Sequence, residues 1–323
     1  MEADSRRMMA EMAHPSLITL DDVRAAAERL SGVAVRTPLV QLETPGAGGE
    51  VFLKNEGAQA TGSFKLRGAY NKIAQLSAEE RGRGVITYSS GNHAQGVAYA
   101  ARALGVKAVV VMPGNASEKK RRATEELGAE IVLVGPASAE RKQKAEELAA
   151  EFGYAVVPPY DDAAIIAGQG TCGLEIVEDM PDVNMVLAPV SGGGLLSGVA
   201  AAVKYLKPDL RVIGVEPELA GDARESFRMG RLVTWPAEKT TSTICDGLRT
   251  QSLGALNFEH IRRFVDDIVT VSEDEIRKAM GALESAGVKA EPSGAVTTAA
   301  VMFHGKELGD YGKAVAVMSG SNY

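Results

Sequence analysis

From Gly84 onward, short apolar runs alternate with helical segments, and this alternation limits the fold more than any other feature of the chain. Residues 85–88, 108–112, 131–134 and 155–157 are apolar and short enough to be buried strands. Between them, residues 94–104, 117–127 and 139–152 carry helical patterning and most of the local charge. Buried strands joined by helices form parallel βα units covered on both faces. After residue 162 the rhythm resumes, with a helix over 165–178, a strand over 185–189, a helix over 194–205 and a strand over 211–215. Residues 220–267 are less regular. A strand over 269–271, helices over 273–286 and 293–302 and a strand over 314–318 complete the pattern. Near the start, a capped helix is expected over 19–30 and a short strand over 51–53. The expectation is an α/β protein of two open twisted parallel sheets. A small domain over 84–160 is inserted between the two parts, 1–83 and 161–323, of a larger one. Neither crossing has a linker-like stretch, so the domains should pack closely over a cleft.

Composition narrows the functional classes. A formal charge of −7 argues against a nucleic-acid surface. No apolar run reaches the length of a membrane span. Two cysteines, Cys172 and Cys245, are too few for a disulfide framework and fit a reducing cytoplasm. Residues 1–14 are charged and Met-rich, lack the apolar core of a signal peptide, and read as a loose tail or an early start codon.

Four stretches carry chemistry. The first is Thr61-Gly62-Ser63-Phe64-Lys65-Leu66-Arg67-Gly68-Ala69-Tyr70-Asn71, which sets Lys65 at the mouth of a helix expected over 66–76. Gly62 permits a tight turn, and Ser63 is placed to cap the helix. The helix macrodipole repels a cation at that end. The position therefore suits a lysine that is neutral and nucleophilic, or one held as a Schiff base. The plain alternative is a surface lysine snorkelling at a helix start.

The second stretch, Ser89-Ser90-Gly91-Asn92-His93, joins a strand end to a helix start, where free amides bind a small carboxylate. An ordinary turn capped by Asn92 is the bland reading. The third, Ser191-Gly192-Gly193-Gly194-Leu195, also follows an apolar strand and opens a helix. Its glycines allow backbone amides to close round a phosphate. It matches neither the dinucleotide fingerprint nor a P-loop. A lone phosphate of a compact cofactor fits it, with tight helix–strand packing as the alternative. The fourth, Met318-Ser319-Gly320-Ser321-Asn322, puts a hydroxyl at the same carboxyl-end rim, or is a plain C-terminal turn.

Together these stretches, with Ile166-Ala167-Gly168-Gln169-Gly170-Thr171, resemble the fold-type-II pyridoxal-phosphate enzymes over most of the chain. The branch they are most similar to holds the threonine/serine dehydratases and serine racemases. The resemblance implies the tryptophan synthase β-like fold, with pyridoxal 5'-phosphate in the cleft. It implies that Lys65 carries the cofactor, Phe64 lies against its ring, and Asn92 bonds its phenolic oxygen. Gly192, Gly193, Gly194 and Leu195 would hold the phosphate, and Ser319 would face the pyridine nitrogen. Ser89, Ser90, Gly91, Asn92 and His93 would bind the substrate, with Ser90 across it from Lys65. Glu216, Ala220 and Asp222 match a site for Mg²⁺ or Ca²⁺, although two acids alone read first as an acidic surface loop. The implied activity is dehydration of L-threonine, L-serine or a related β-hydroxy amino acid to a 2-keto acid and ammonia. The alternatives are a serine or aspartate racemase, a 3-hydroxyaspartate dehydratase, or a non-catalytic amino-acid-binding protein. A small-molecule amino acid is the expected partner, and a homodimer or homotetramer the expected assembly. The sequence departs from the family at Ser191, where many relatives have glycine, at Gly57-Ala58, and at Pro158-Pro159-Tyr160-Asp161-Asp162, which looks dehydratase-like.

Overall fold

The computed structural model describes residues 16–44, 47–89, 91–135 and 138–322. The N-terminal tail reading and Ser90 lie outside these residues. Ten strands are described: β1 (Leu39–Leu42), β2 (Gly49–Asn55), β3 (Val85–Tyr88), β4 (Ala108–Pro113), β5 (Glu130–Val134), β6 (Ala155–Val156), β7 (Met185–Pro189), β8 (Arg211–Pro217), β9 (Asp267–Val271) and β10 (Gly312–Met318). They form a six-stranded sheet in the order β1-β2-β10-β7-β8-β9 and a four-stranded sheet in the order β5-β4-β3-β6.

The expectation of parallel sheets holds with one correction. β1 runs antiparallel to β2, and every other pairing is parallel. β1 is a short edge strand with two exposed residues, so it is not enclosed on both faces as a parallel strand is. The less regular region 220–267 also needs correction, because it holds helices Asp222–Met229, Ala237–Thr240 and Ala255–Phe264.

Parallel order has a consequence for the site. β2, β10 and β7 are neighbours, so the loops leaving their carboxyl ends meet at one rim. Those loops contain Lys65, Ser319 and the glycine run. β8 lies next to β7 and ends beside Glu216. Behind the rim, helix Gly194–Leu206 is apolar nearly all round and packs Leu195, Leu196 and Val199 into the core of the large sheet. Truncating Leu196 to alanine there costs about 2–5 kcal/mol.

Helices Lys65–Ala74, Ala163–Asp179 and Gly194–Leu206 cross at a seam of glycines. A Cβ on Gly168 would stand 2.7 Å from Gly68 Cα, and one on Gly198 would stand 2.5 Å from Gly170 N. The Gly168-Gln169-Gly170 motif therefore sets the lysine helix against the helix of the glycine loop. Helix Lys65–Ala74 also adds Ala69 and Ile73 to the core of the four-stranded sheet, beside Val85, Ala94 and Val97.

Candidate active site

Lys65 is placed by the far end of the chain. The Phe64 amide donates to Ser319 O at 3.2 Å, and the Ser321 amide donates to Gly62 O at 2.9 Å. Ser63 and Gly320 form an isolated bridge between these contacts. Helix Lys65–Ala74 starts after Phe64 with no side-chain cap. The expected Ser63 cap is thus absent, and the Ser63 hydroxyl is buried without a partner among the described residues. Backbone pairing to the C-terminal strand takes the place of capping.

The Lys65 Nζ donates to Pro159 O at 2.8 Å and lies 5.1 Å from the Phe64 ring centroid. No carboxylate bonds it among the described residues. The residue keeps partial access to solvent, yet desolvation of the amine pulls its pKa down to about 8. A substantial neutral fraction, of order a quarter near pH 7.5, is therefore at hand.

Two residues on, the charge environment is the opposite. The Arg67 guanidinium is buried and bonds both oxygens of Glu56 (2.7 and 2.8 Å) and both of Glu175 (2.7 and 2.9 Å). Lys54 Nζ lies 2.6 Å from Glu175 Oε2. Desolvation alone would raise the Glu56 carboxyl, but Arg67 and Lys54 outweigh it and hold Glu56 below its ordinary range. This network ties β2, the lysine helix and helix Ala163–Asp179 together.

The loop after β3 presents Asn92 and His93 at the start of helix Asn92–Ala103. Asn92 is not the cap that an ordinary turn would need. Its Nδ2 donates to Glu291 Oε1 at 2.7 Å, and its Oδ1 accepts from Asn322 Nδ2 at 2.9 Å. Desolvation, with Asp246 adding to it, pushes Glu291 up to about 7. His93 is buried, with Nε2 on Val157 O at 3.0 Å. Desolvation and then Lys65 pull its pKa down to about 3, so the ring stays neutral. Ser89 Oγ accepts from the Gly91 amide at 3.3 Å.

In the glycine loop, the amides of Gly192, Gly193, Gly194 and Leu195 donate to no acceptor among the described residues. Gly193 has φ +103°, which only glycine adopts without strain. Tyr160 packs so closely that a Cβ on Gly192 would meet its ring at 2.4 Å. The cradle is therefore glycine by necessity, and its free donors suit a phosphate. Ser191 Oγ is bonded to Thr250 Oγ1 at 2.7 Å, so the departure from glycine adds an anchor outside the cradle. Ser319 is buried, and its hydroxyl donates to Ser293 O over a long 3.3 Å.

Glu216 and Asp222 are both buried, which removes the surface-loop reading. Desolvation and then Asp222 raise the Glu216 carboxyl, and desolvation raises Asp222 to about 7. Glu216 accepts the Arg224 amide at 2.7 Å and the Ala223 amide at 3.3 Å, whereas Asp222 Oδ2 has no partner among the described residues. No group of three or more His, Cys, Asp or Glu side chains able to hold a metal occurs among the described residues.

Two participants are not evident from sequence patterning. Tyr160 links the parts, because Pro159 receives Lys65 while Tyr160 packs on the glycine cradle. The neighbouring Asp161 caps helix Ala255–Phe264 through the Ala255 and Leu256 amides. Glu291 is the other, and its position before Pro292 gives only a helix-start signal.

The profile of the pyridoxal-phosphate dependent enzyme family matches residues 30–320. The chain is 46% identical over 312 residues to an L-threonine ammonia-lyase from Thermotoga maritima, covering 95% of this chain and 76% of that one. Its structure is similar to that of maize serine racemase, with TM-score 0.91 and 34% identity over 95% of this chain and 94% of the other. It is also similar to a T.th. threonine deaminase, with TM-score 0.88 and 42% identity over 95% of this chain and 99% of the other.

Proposed function

The chain belongs to the pyridoxal-phosphate dependent enzyme family, and we propose that it is an ammonia-lyase acting on L-threonine, L-serine or a related β-hydroxy amino acid. The products are a 2-keto acid and ammonia. The observation that carries this reading is the Lys65 amine, desolvated, unpaired with any carboxylate among the described residues, and set at the rim where β2, β10 and β7 end. The threonine ammonia-lyase and threonine deaminase likenesses support the substrate class.

The residues fit the cofactor by their donors. Gly192, Gly193, Gly194 and Leu195 would hold its phosphate, Asn92 its phenolic oxygen and Phe64 its ring face. Bound pyridoxal phosphate supplies an electron sink for charge arising at the substrate Cα. Lys65 removes the Cα proton, and an amine with pKa about 8 is matched to that work near neutral pH. Amides at the start of helix Asn92–Ala103 receive the substrate carboxylate, and Ser89, Ser90, Gly91 and His93 belong to the same proposed substrate-binding stretch. His93 contributes a dipole and no charge. Ser319 would face the ring nitrogen with an uncharged hydroxyl, offering it a hydrogen bond and no charge. Keto-acid release screened over hydroxyamino acids tests the reading, and a protein that binds amino acids without turnover would overturn it.

The likeness to maize serine racemase favours a second reading, in which Ser90 returns a proton to Cα from the face opposite Lys65. Ser90→Ala would then abolish interconversion of serine enantiomers, read by chiral chromatography, while L-dehydration persists.

Glu216, Asp222 and the Ala220 carbonyl would hold Mg²⁺ or Ca²⁺. The unpartnered Asp222 oxygen and two adjoining buried acids suit a hard cation. Trp235, the single tryptophan, lies against this loop, since a Cβ on Gly221 would meet its ring at 3.3 Å. Its fluorescence should therefore respond to cation binding. The division into a small domain, 84–160, and a large one, 1–83 with 161–323, belongs to the same proposal. So do a cytoplasmic location and a homodimeric or homotetrameric assembly. Two buried free cysteines are consistent with that location. Light scattering tests the assembly.

A further inference from the structure

A primary amide does not orient itself, because its oxygen and nitrogen are nearly the same size. Asn92 is oriented from two sides. Glu291 Oε1 accepts from its Nδ2 at 2.7 Å, and Asn322 Nδ2 donates to its Oδ1 at 2.9 Å. Asn322 is fixed in turn, since the same Nδ2 also donates to Thr61 O at 2.8 Å. Turning the Asn92 amide over would set oxygen against the Glu291 oxygen and nitrogen against the Asn322 nitrogen. Asn322, held by Thr61 O, does not tolerate that reversal, and neither does Glu291 in its ionised form.

We infer that Glu291 is a positioning residue for the cofactor, fixing the Asn92 amide so that its nitrogen keeps one free N–H to donate. The inference rests on the reading that Asn92 donates to the phenolic oxygen. Presented the other way, the amide would offer an acceptor to an acceptor.

Glu291 is built into its place. Its own amide donates to Gly320 O at 3.1 Å, and it stands before Pro292 at the start of helix Pro292–Phe303. A Cβ on Gly320 would lie 2.5 Å from Glu291 Oε1 and 3.2 Å from Asn92 Nδ2. The glycine after Ser319 is therefore required by the carboxyl that orients Asn92. Beyond Glu291 stand Asp246 and Lys120, which pair with each other. The role needs an acceptor at the Glu291 position and not a charge, because a glutamine oxygen can receive the same N–H.

The test is titration of cofactor-stripped protein with pyridoxal phosphate, following Kd and the visible absorption band. Glu291→Ala should weaken binding about tenfold and alter the band. Glu291→Gln should bind within about twofold of wild type with an unchanged band. Asn92→Ala should lose at least as much as Glu291→Ala. If Asn92→Ala is weakened while Glu291→Ala matches wild type, Glu291 does not position the amide. If Glu291→Gln is as weak as Glu291→Ala, charge and not orientation is at work, and the inference fails. If Asn92→Ala itself matches wild type, the reading of Asn92 falls and takes the inference with it. Should Glu291→Ala not fold, judged by melting of the stripped protein, Asn322→Ala removes the other constraint. It should weaken binding about threefold, and wild-type affinity there overturns the account.

Discussion

Arg67 and Lys65 are two residues apart on one helix, and the chain treats their charges in opposite ways. Arg67 is enclosed with Lys54 by Glu56 and Glu175, so two cations face two anions with hydrogen bonds throughout. Lys65 has one carbonyl, Pro159 O, and desolvation dominates its chemistry. The pair Glu216 and Asp222 repeats the second pattern with the sign reversed, two acids buried side by side and one oxygen unpartnered. Compensated burial builds the scaffold, whereas uncompensated burial costs folding free energy and marks the places where a ligand is to supply the missing partner.

The contrast can be broken most sharply at Lys65 itself. Lys65→Ala should reduce turnover by about three orders of magnitude or more, because it removes the group that carries the chemistry. The same variant should change the stability of the cofactor-free protein by less than about 1 kcal/mol in urea unfolding, since it gives up one hydrogen bond and relieves one buried amine. A large loss of stability would place Lys65 in the scaffold class.

Arg67→Met is the counterpart. It leaves Glu56 buried without its main partner and Glu175, half-buried, with Lys54 alone, and should cost about 3–5 kcal/mol. Urea unfolding checks this, and a change below about 1 kcal/mol would show that the network is not compensating as described.

The acid pair should respond to a cation. Removing divalent ions with chelator should lower the melting temperature and change Trp235 fluorescence, with Mg²⁺ or Ca²⁺ restoring both. The stabilisation follows ligand concentration and reaches about 2.7 kcal/mol at a hundredfold excess over Kd. Glu216→Gln should abolish the response. Insensitivity of the wild-type protein, with no metal found by elemental analysis, would count against the site.

The smallest effect is in pH. Lys65 must be neutral to react with an aldehyde, and burial has lowered its pKa to about 8. The rate of pyridoxal phosphate uptake by stripped protein should therefore rise about tenfold per unit below pH 8 and level off above it. A midpoint near the ordinary lysine value of 10.5 would mean the amine is not desolvated.

Much of this was open to reading in the chain itself, for a physical reason. β3, β4 and β7 are apolar along their length and bounded by glycine or proline, so they announce buried parallel strands. The glycine loop declares itself because it follows such a strand, and the lysine loop follows β2, which is apolar only over Val51 to Leu53. What escaped depends on partners distant in sequence. Helix Ala255–Phe264 takes its cap from Asp161, 94 residues earlier, so no local start signal precedes it. Ser63 has the right residue type for a cap, but pairing with Gly320 fixes the turn instead. Glu291 meets Asn92 across 199 residues, and only the folded chain brings them together. The burial of Glu216 and Asp222 was likewise invisible, since acids spaced in a loop look the same exposed or enclosed.

The central claim is that the uncompensated amine of Lys65 is the cofactor's attachment point. Reducing the holoenzyme with borohydride and mapping the labelled peptide by mass spectrometry tests it directly. The account predicts one phosphopyridoxyl group per chain, on Lys65. Label on another lysine with Lys65 unmodified, or a holoenzyme that takes up no label, would contradict it.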